Sequence, residues 1–215
     1  EGGVLREVYV QVACQSLAQT WGNVSDEAAA ETELLFGTLD PRRLGTFTAD
    51  GFLEIFPALG DLTRQAARLM PSGSFVNIDY GEWFPGVDAV STGICRAGGP
   101  AACTLRRRTV RGYFKHQMGT DPLARAGRQD LTADVDLAAL DLHGRLEGFE
   151  TVLFTNLAAF LRGGGAEDEL LALDDGTAET ASDTLEADRQ ATVLRNLLDE
   201  RDLGGAYKLI VQVKG

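Results

Sequence analysis

Apolar and polar positions alternate near the start of the chain, where Val8, Val10 and Val12 stand against Tyr9 and Gln11. That period of two over Leu5–Leu17 predicts a strand exposed on one face, in a small ribbon, which Trp21-Gly22-Asn23 ends. Ser25-Asp26 stands as an N-cap before the acidic, Ala-rich run Glu27–Phe36, which predicts a helix. Phe52–Phe56 is a short strand-like run halted by Pro57. From Ala58 to Met70 the apolar residues Leu59, Leu62, Ala66 and Leu69 recur at the spacing of one helical face. Pro71-Ser72-Gly73 stops that helix, and Phe75–Ile78 follows as a short apolar run suited to a strand buried on both faces of a mainly parallel sheet. A helix leading through Pro and Gly into a buried strand is half of a βαβ unit, so the fold class is α/β.

Beyond Glu82 the period is lost. Trp83–Cys103 is rich in Gly, Ala and Pro and reads as a long loop. Arg106–Met118 is basic and contains Tyr113, Phe114 and His116; Gly119–Pro122 turns the chain, and Ala126–Gln129 loops again. Asp130–Asp136 leads into the apolar run Leu137–Leu142. Thr151–Asn156 is a strand, and Leu157–Leu161 starts a helix that Gly163-Gly164-Gly165 interrupts. Leu185–Leu198 has a helical apolar face at Leu185, Val193, Leu194 and Leu197. Gly204-Gly205 stops it, and Tyr207–Val213 closes the chain as a strand. No internal repeat or low-complexity linker divides this pattern.

Composition narrows the function classes. A chain of 215 residues with 44% hydrophobic content can bury one good core, as one domain plus a lobe. A formal charge of -12 argues against a nucleic-acid surface, since neutralising phosphates takes a basic stripe. The basic cluster of Arg106, Arg107, Arg108, Arg111 and Lys115 is local. No apolar run approaches the roughly 18 residues of a membrane span, and the first residues carry no signal pattern. The three cysteines, Cys14, Cys95 and Cys103, make neither a disulfide scaffold nor a zinc motif; free thiols and a Cys95–Cys103 bridge stay open, and the composition points to the cytoplasm. His116 and His143 have no partner at metal-ligand spacing, so no metal site is read.

Candidate chemistry collects after the run Phe75–Ile78. In open α/β sheets ligands sit beyond the carboxyl ends of the strands, which places Asp79 and Glu82 at the rim of an active site. Alternatively Asp79 caps a turn closed by Gly81.

Several segments in order carry a resemblance. They are Phe75–Glu82, Arg108–His116, Asp121–Arg125, Gln129–Asp136, Phe154-Thr155 and Phe160-Leu161. Glu54-Ile55-Phe56-Pro57 and the closing Tyr207–Gly215 belong to the same set. Together they resemble the MidA-like S-adenosylmethionine-dependent methyltransferases, a family that includes the mitochondrial complex I assembly methyltransferase. The resemblance spans roughly residues 50–215 and is weaker before them. It implies a Rossmann-like class I methyltransferase sheet, seen in its carboxyl half, with an inserted substrate-capping region. On that reading 1–50 form a ribbon and helical lobe, 51–82 the helix and central strand, 83–148 the cap, and 149–215 the last two strands and helices.

The departures are Arg108 where the family usually has Gly, Asp134 where it has His, and Leu157 where Gln is common. The Gly-rich turn that lets a backbone approach such a cofactor is also missing, and Gly163-Gly164-Gly165 reads as a helix stop instead. S-adenosylmethionine is therefore implied as cofactor while its main binding motif lies elsewhere. A missing amino-terminal segment, a partner chain or a homodimer would complete the sheet. Mitochondrial matrix is the alternative compartment. The implied substrate is a protein side chain or small acceptor, and an arginine acceptor would want carboxylates to orient its guanidinium. Asp79 and His116 are the catalytic candidates; Tyr80, Glu82, Tyr113 and Asp130 are the substrate-binding ones. For Asp130 turn capping, and for His116 loop anchoring, stay open. Arg106–Arg108 and Arg111 either bind an acidic substrate or pair with the chain's own carboxylates. The other reading is a non-catalytic scaffold or assembly factor that binds a partner through its insertion.

Overall fold

The computed structural model describes residues 4–13, 16–37, 48, 51–84, 108–119, 121–174 and 181–215. They form two units: one of Glu1–Leu69 with Glu82–Gly148, the other of Met70–Gly81 with Phe149–Gly215.

The first unit opens with an antiparallel hairpin of β1 (Glu7–Ala13) and β2 (Ser16–Gly22), in which Tyr9 faces Thr20. The alternation predicted through Leu17 thus belongs to two strands rather than one. Helix α1 (Asp26–Phe36) follows, and Ser25 is its N-cap, accepting from Ala28 N at 3.2 Å. The Glu7 carboxylate accepts from Ser25 N at 2.7 Å and so ties the ribbon to the helix start. That backbone hydrogen bond, and then the Ser25 side chain, hold the Glu7 carboxyl below its ordinary value against a small opposing effect of burial.

Phe52–Phe56 forms no strand: Glu54 there is engaged with a distant segment, and Pro57 leads directly into α2 (Ala58–Leu69). The buried residues of α2 are Leu59, Gly60 and Thr63, whereas Leu62 and Leu69 are exposed. Its inward face is therefore narrower and more polar than the leucine spacing suggests. Three short strands, β4 (Arg111–Phe114), β5 (Gln117–Gly119) and β6 (Asp130–Thr132), make an antiparallel sheet in the order β5-β4-β6. After β7 (Val135–Asp136), helix α3 (Leu137–Leu146) begins at Asp136, whose carboxylate accepts from Ala138 N and Ala139 N. Leu137 and Leu140 are fully buried. His143 of α3 meets Glu31 of α1, its Nε2 lying 3.0 and 3.1 Å from the two carboxylate oxygens, and both residues are buried. Gly60 of α2 makes room for that imidazole: a Cβ there would stand 2.9 Å from His143 Cε1.

In the second unit β9 (Tyr207–Lys214) lies between β3 (Gly73–Glu82) and β8 (Glu150–Asn156), antiparallel to both. β3 and β8 therefore run parallel to each other. The expectation of a strand buried on both faces of a parallel sheet fails for Phe75–Ile78. Its β9 neighbour runs the opposite way, and Val76 and Ile78 are about half exposed, at 48% and 47%. Helices α4 (Leu157–Gly163), α5 (Ala166–Asp174), α6 (Ala181–Leu198) and the short α7 (Leu203–Ala206) complete the unit. Among the described side chains of α6, Ala191 and Leu198 are buried, while Leu185 and Val193 of the expected face are exposed. The glycine triplet ends α4 as expected, with Gly164 N donating to Phe160 O and Leu161 O and Gly165 at φ 87°. Gly204 and Gly205 do something else than stop α6, which ends at Leu198. They lie in α7, where a Cβ on Gly204 would stand 2.8 Å from Ala158 Cβ and run into Leu197 O.

Candidate active site

The second unit presents Asp79 at the carboxyl end of β3. Successive side chains of a strand point to opposite faces, so Asp79 shares its face with Phe75 and Asn77, while Tyr80 shares the other with Val76 and Ile78. The register continues the Asp79 row across the sheet: Asp79 faces Lys208, and Lys208 faces Asn156, at the carboxyl end of β8. Asp79 does not cap a turn. The strand runs on through Gly81 to Glu82, and Asp79 Oδ1 accepts, among the described residues, from the adjacent Tyr80 N alone, at 2.7 Å.

Lys208 is the cation nearest in register, yet its Nζ donates to Gly205 O at 2.6 Å, at the end of α7. Asn156 Oδ1 is likewise occupied, accepting from Ala159 N at 2.7 Å as the N-cap of α4. Among the described residues Asp79 therefore makes no ion pair, and its carboxylate is exposed. On the other face Tyr80 stacks on Tyr207 with ring centroids 4.2 Å apart. An offset stack of this kind is worth about 0.5–1.5 kcal/mol beyond its buried area and fixes both rings at the strand end. Tyr207 and Lys208 were absent from the candidates read in the sequence. They lie in the closing strand, and only the antiparallel register sets them opposite Tyr80 and Asp79.

In the first unit Tyr113 of β4 stands directly opposite Asp130 of β6 and Met118 of β5. The structure thus brings Tyr113 and Asp130 together on one face of the small sheet. Asp130 opens a strand rather than capping a turn. His116 sits at the tip of the β4–β5 hairpin, exposed, with Lys115 and His116 at φ 52° and 62°. Those two positive angles are what a two-residue type I′ turn demands. Glu82, where β3 ends, is half-buried. The stretch around Cys95, Cys103, Arg106 and Arg107, with Cys14, lies outside the described residues, and so does most of the expected loop Trp83–Cys103.

The remaining motif residues are wired to one another. Glu54 accepts from Thr109 N and Oγ1 at 2.6 and 2.8 Å and from Val110 N at 3.3 Å. Thr109 Oγ1 in turn accepts from Asp134 N at 3.1 Å. Arg111 donates to Asp134 Oδ1 at 2.8 Å, to Thr109 O at 2.9 Å and to Tyr113 Oη at 3.4 Å. Burial alone would lower the Arg111 pKa, but the bonds to Tyr113 and to the Asp134 carboxylate outweigh it, so the guanidinium is held above its ordinary value and stays charged. Arg108 lies 3.9 Å from the centre of the Phe52 ring. Of the two uses open to these arginines, Arg111 takes the pairing with the chain's own carboxylate. Gln129 Nε2 donates to Pro122 O at 2.6 Å and occupies the space that a Cβ on Gly112 would fill.

A family described as "Putative S-adenosyl-L-methionine-dependent methyltransferase" matches residues 1–155, including the first fifty, where the motif resemblance is weakest. No curated protein matches the chain. Two crystal structures from Burkholderia thailandensis share its fold. One, of an uncharacterised protein, has a TM-score of 0.68 at 20% identity over 97% of this chain and 49% of its own. The other was solved bound to S-adenosyl-homocysteine and has a TM-score of 0.66 at 22% identity, over 97% of this chain and 47% of its own. The chain therefore spans about half the length of these two relatives. Among the described residues no strand is followed by a Gly-rich turn, so the cofactor's main cradle is not built from them. With the family model matching residues 1–155, most of its length, this chain belongs to the family described as "Putative S-adenosyl-L-methionine-dependent methyltransferase".

Proposed function

We propose that this chain is the carboxyl part of a methyltransferase acting on a protein side chain or a small acceptor, and that Asp79 orients that acceptor. The observation that carries the reading is the exposed Asp79 carboxylate at the end of β3, without a cation among the described residues while Lys208 is held on Gly205 O. S-adenosyl-L-methionine, when bound, supplies the methyl group. The protein's part in such a displacement is to align the acceptor and, where needed, take its proton. Asp79 accepts a hydrogen bond from the acceptor's N–H or O–H, which fixes its lone pair in one direction. Tyr80, stacked on Tyr207, makes a rigid wall at the same strand end. Tyr113 and Asp130 face each other across the small sheet of the first unit, and the role of Asp79 does not depend on them. His116, exposed at a hairpin tip, is not needed for this step.

The Gly-rich turn and the remaining strands come from polypeptide outside this sequence, either an amino-terminal segment or a partner chain. Two facts support this: the chain spans about half of its solved relatives, and Val76 and Ile78 leave an apolar strip on the β3 face half exposed. No described helix is long and apolar enough to cross a membrane. We place the reaction in the cytoplasm, with the mitochondrial matrix as the alternative, on the free-thiol reading of the three cysteines.

The test is Asp79→Asn in the complete protein. Transfer of labelled methyl from the cofactor should fall by about 10²-fold or more, the low end of what a positioned acid–base group contributes. Circular dichroism and cofactor binding should be unchanged. Full turnover by the variant removes Asp79 from the mechanism.

A further inference from the structure

We infer that the face of the small sheet carrying Phe114 is a docking surface for an acidic segment of a partner protein. Arg111, Tyr113, Met118 and Asp130 share one face of the β5-β4-β6 sheet; Phe114 lies on the other. Two cations bracket its ring, Arg125 with Cζ 4.6 Å and Lys115 with Nζ 5.6 Å from the centroid. A third, Arg128, is set beside Arg125 by the turn in which Arg128 N donates to Arg125 O at 2.9 Å.

This loop is built rather than slack. Leu123 N donates to Asp121 Oδ1 at 2.8 Å, and Gln129 fastens the loop's end to Pro122 O. Lys115, Arg125 and Arg128 are all exposed, and among the described residues none of the three makes an ion pair. Two carboxylates lie close in sequence and neither answers them. Asp121 is engaged with Leu123 N, and Asp130 points to the opposite face.

In a chain with 32 acidic and 20 basic residues, three clustered cations free of carboxylates are a departure from the composition. The Phe114 ring holds two of them, Arg125 and Lys115, near each other, and like charges kept together cost free energy unless an anion meets them. Carboxylates of an acidic polypeptide match the guanidinium forks of Arg125 and Arg128 in planar geometry. Nucleic acid fits less well, because the patch is short and the chain as a whole, at -12, repels a polyphosphate. Binding at this face requires no methyl transfer, so it stands or falls apart from the role of Asp79.

The test is fluorescence polarisation of a labelled peptide of about ten glutamates against the protein in about 0.01 M salt, where a Debye length of about 30 Å leaves surface charges effective. The triple variant Lys115→Gln, Arg125→Gln, Arg128→Gln changes only exposed side chains, and an unchanged thermal midpoint verifies its fold. The expected result is binding that weakens about tenfold or more in the variant and with added salt, while a lysine peptide of equal length does not bind. Equal binding by the variant, no binding by the parent, or tighter binding of a single-stranded oligonucleotide than of the peptide would each overturn the inference.

Discussion

Asp134 departs from the family pattern that the sequence resembles, and its carboxylate is committed to Arg111 at 2.8 Å. The two side chains are only 11% and 22% exposed, so each would be costly to leave alone. The charge pair links β4 to the segment after β6. Replacing Asp134 by Ala strands the guanidinium against the carbonyl of Thr109 and the hydroxyl of Tyr113. Stability should fall by about 1.5–3 kcal/mol, the range for a hydrogen bond to a charged group, read from the denaturant midpoint. A loss below the error of that measurement would mean that Thr109 O and water satisfy Arg111 without help. Glu31 and His143 are the other partly hidden constellation. No spacing rule pairs residues 112 positions apart, and the sequence showed only a histidine lacking metal-ligand neighbours.

At the level of elements, the ribbon and α1 share one joint. Glu7 accepts from the backbone N–H of Ser25, the residue that caps α1. Because the folded carboxyl titrates below its unfolded value, this contact contributes fully above the unfolded pKa and is lost as the pH falls through the folded one. Melting followed by circular dichroism should show the parent losing its advantage over Glu7→Gln as the solution is acidified below the ordinary carboxylate range. A gap between the two that stays constant into acid would deny Glu7 that role.

The elements also show what was readable beforehand. Local signals were reliable where they were local: Ser25 as cap, the helix over 58–69, the glycine triplet as stop, the closing strand. Helix faces were misread because leucine spacing says nothing about what lies opposite. Leu62, Leu69, Leu185 and Val193 point outward, while Thr63 and Ala191 face in. Gly204 and Gly205 looked like a stop signal, yet their use is close packing against Ala158 and the turn after α6. Among the candidate residues, Asp79 and Tyr80 were legible from the end of the apolar run. Tyr207 and Lys208 were not, because a partner across an antiparallel pair is set by register, not by sequence neighbourhood. Glu54, Thr109 and Gln129 were visible only as pieces of a family pattern; the hydrogen bonds among them give that pattern a physical reason.

For the molecule as a whole, we propose that this chain carries the acceptor side of a methyltransferase and that the cofactor cradle comes from polypeptide beyond this sequence. The fold agreement covers 97% of the chain but about half of each solved relative. The most direct measurement is calorimetric titration of S-adenosyl-L-methionine into the folded, unaggregated chain, first alone and then joined to the amino-terminal segment of the complete protein. The account predicts no heat of binding from the chain alone and micromolar binding once the segment is present. Micromolar binding by the chain alone would contradict it, and absence of binding in both forms would make the protein a scaffold.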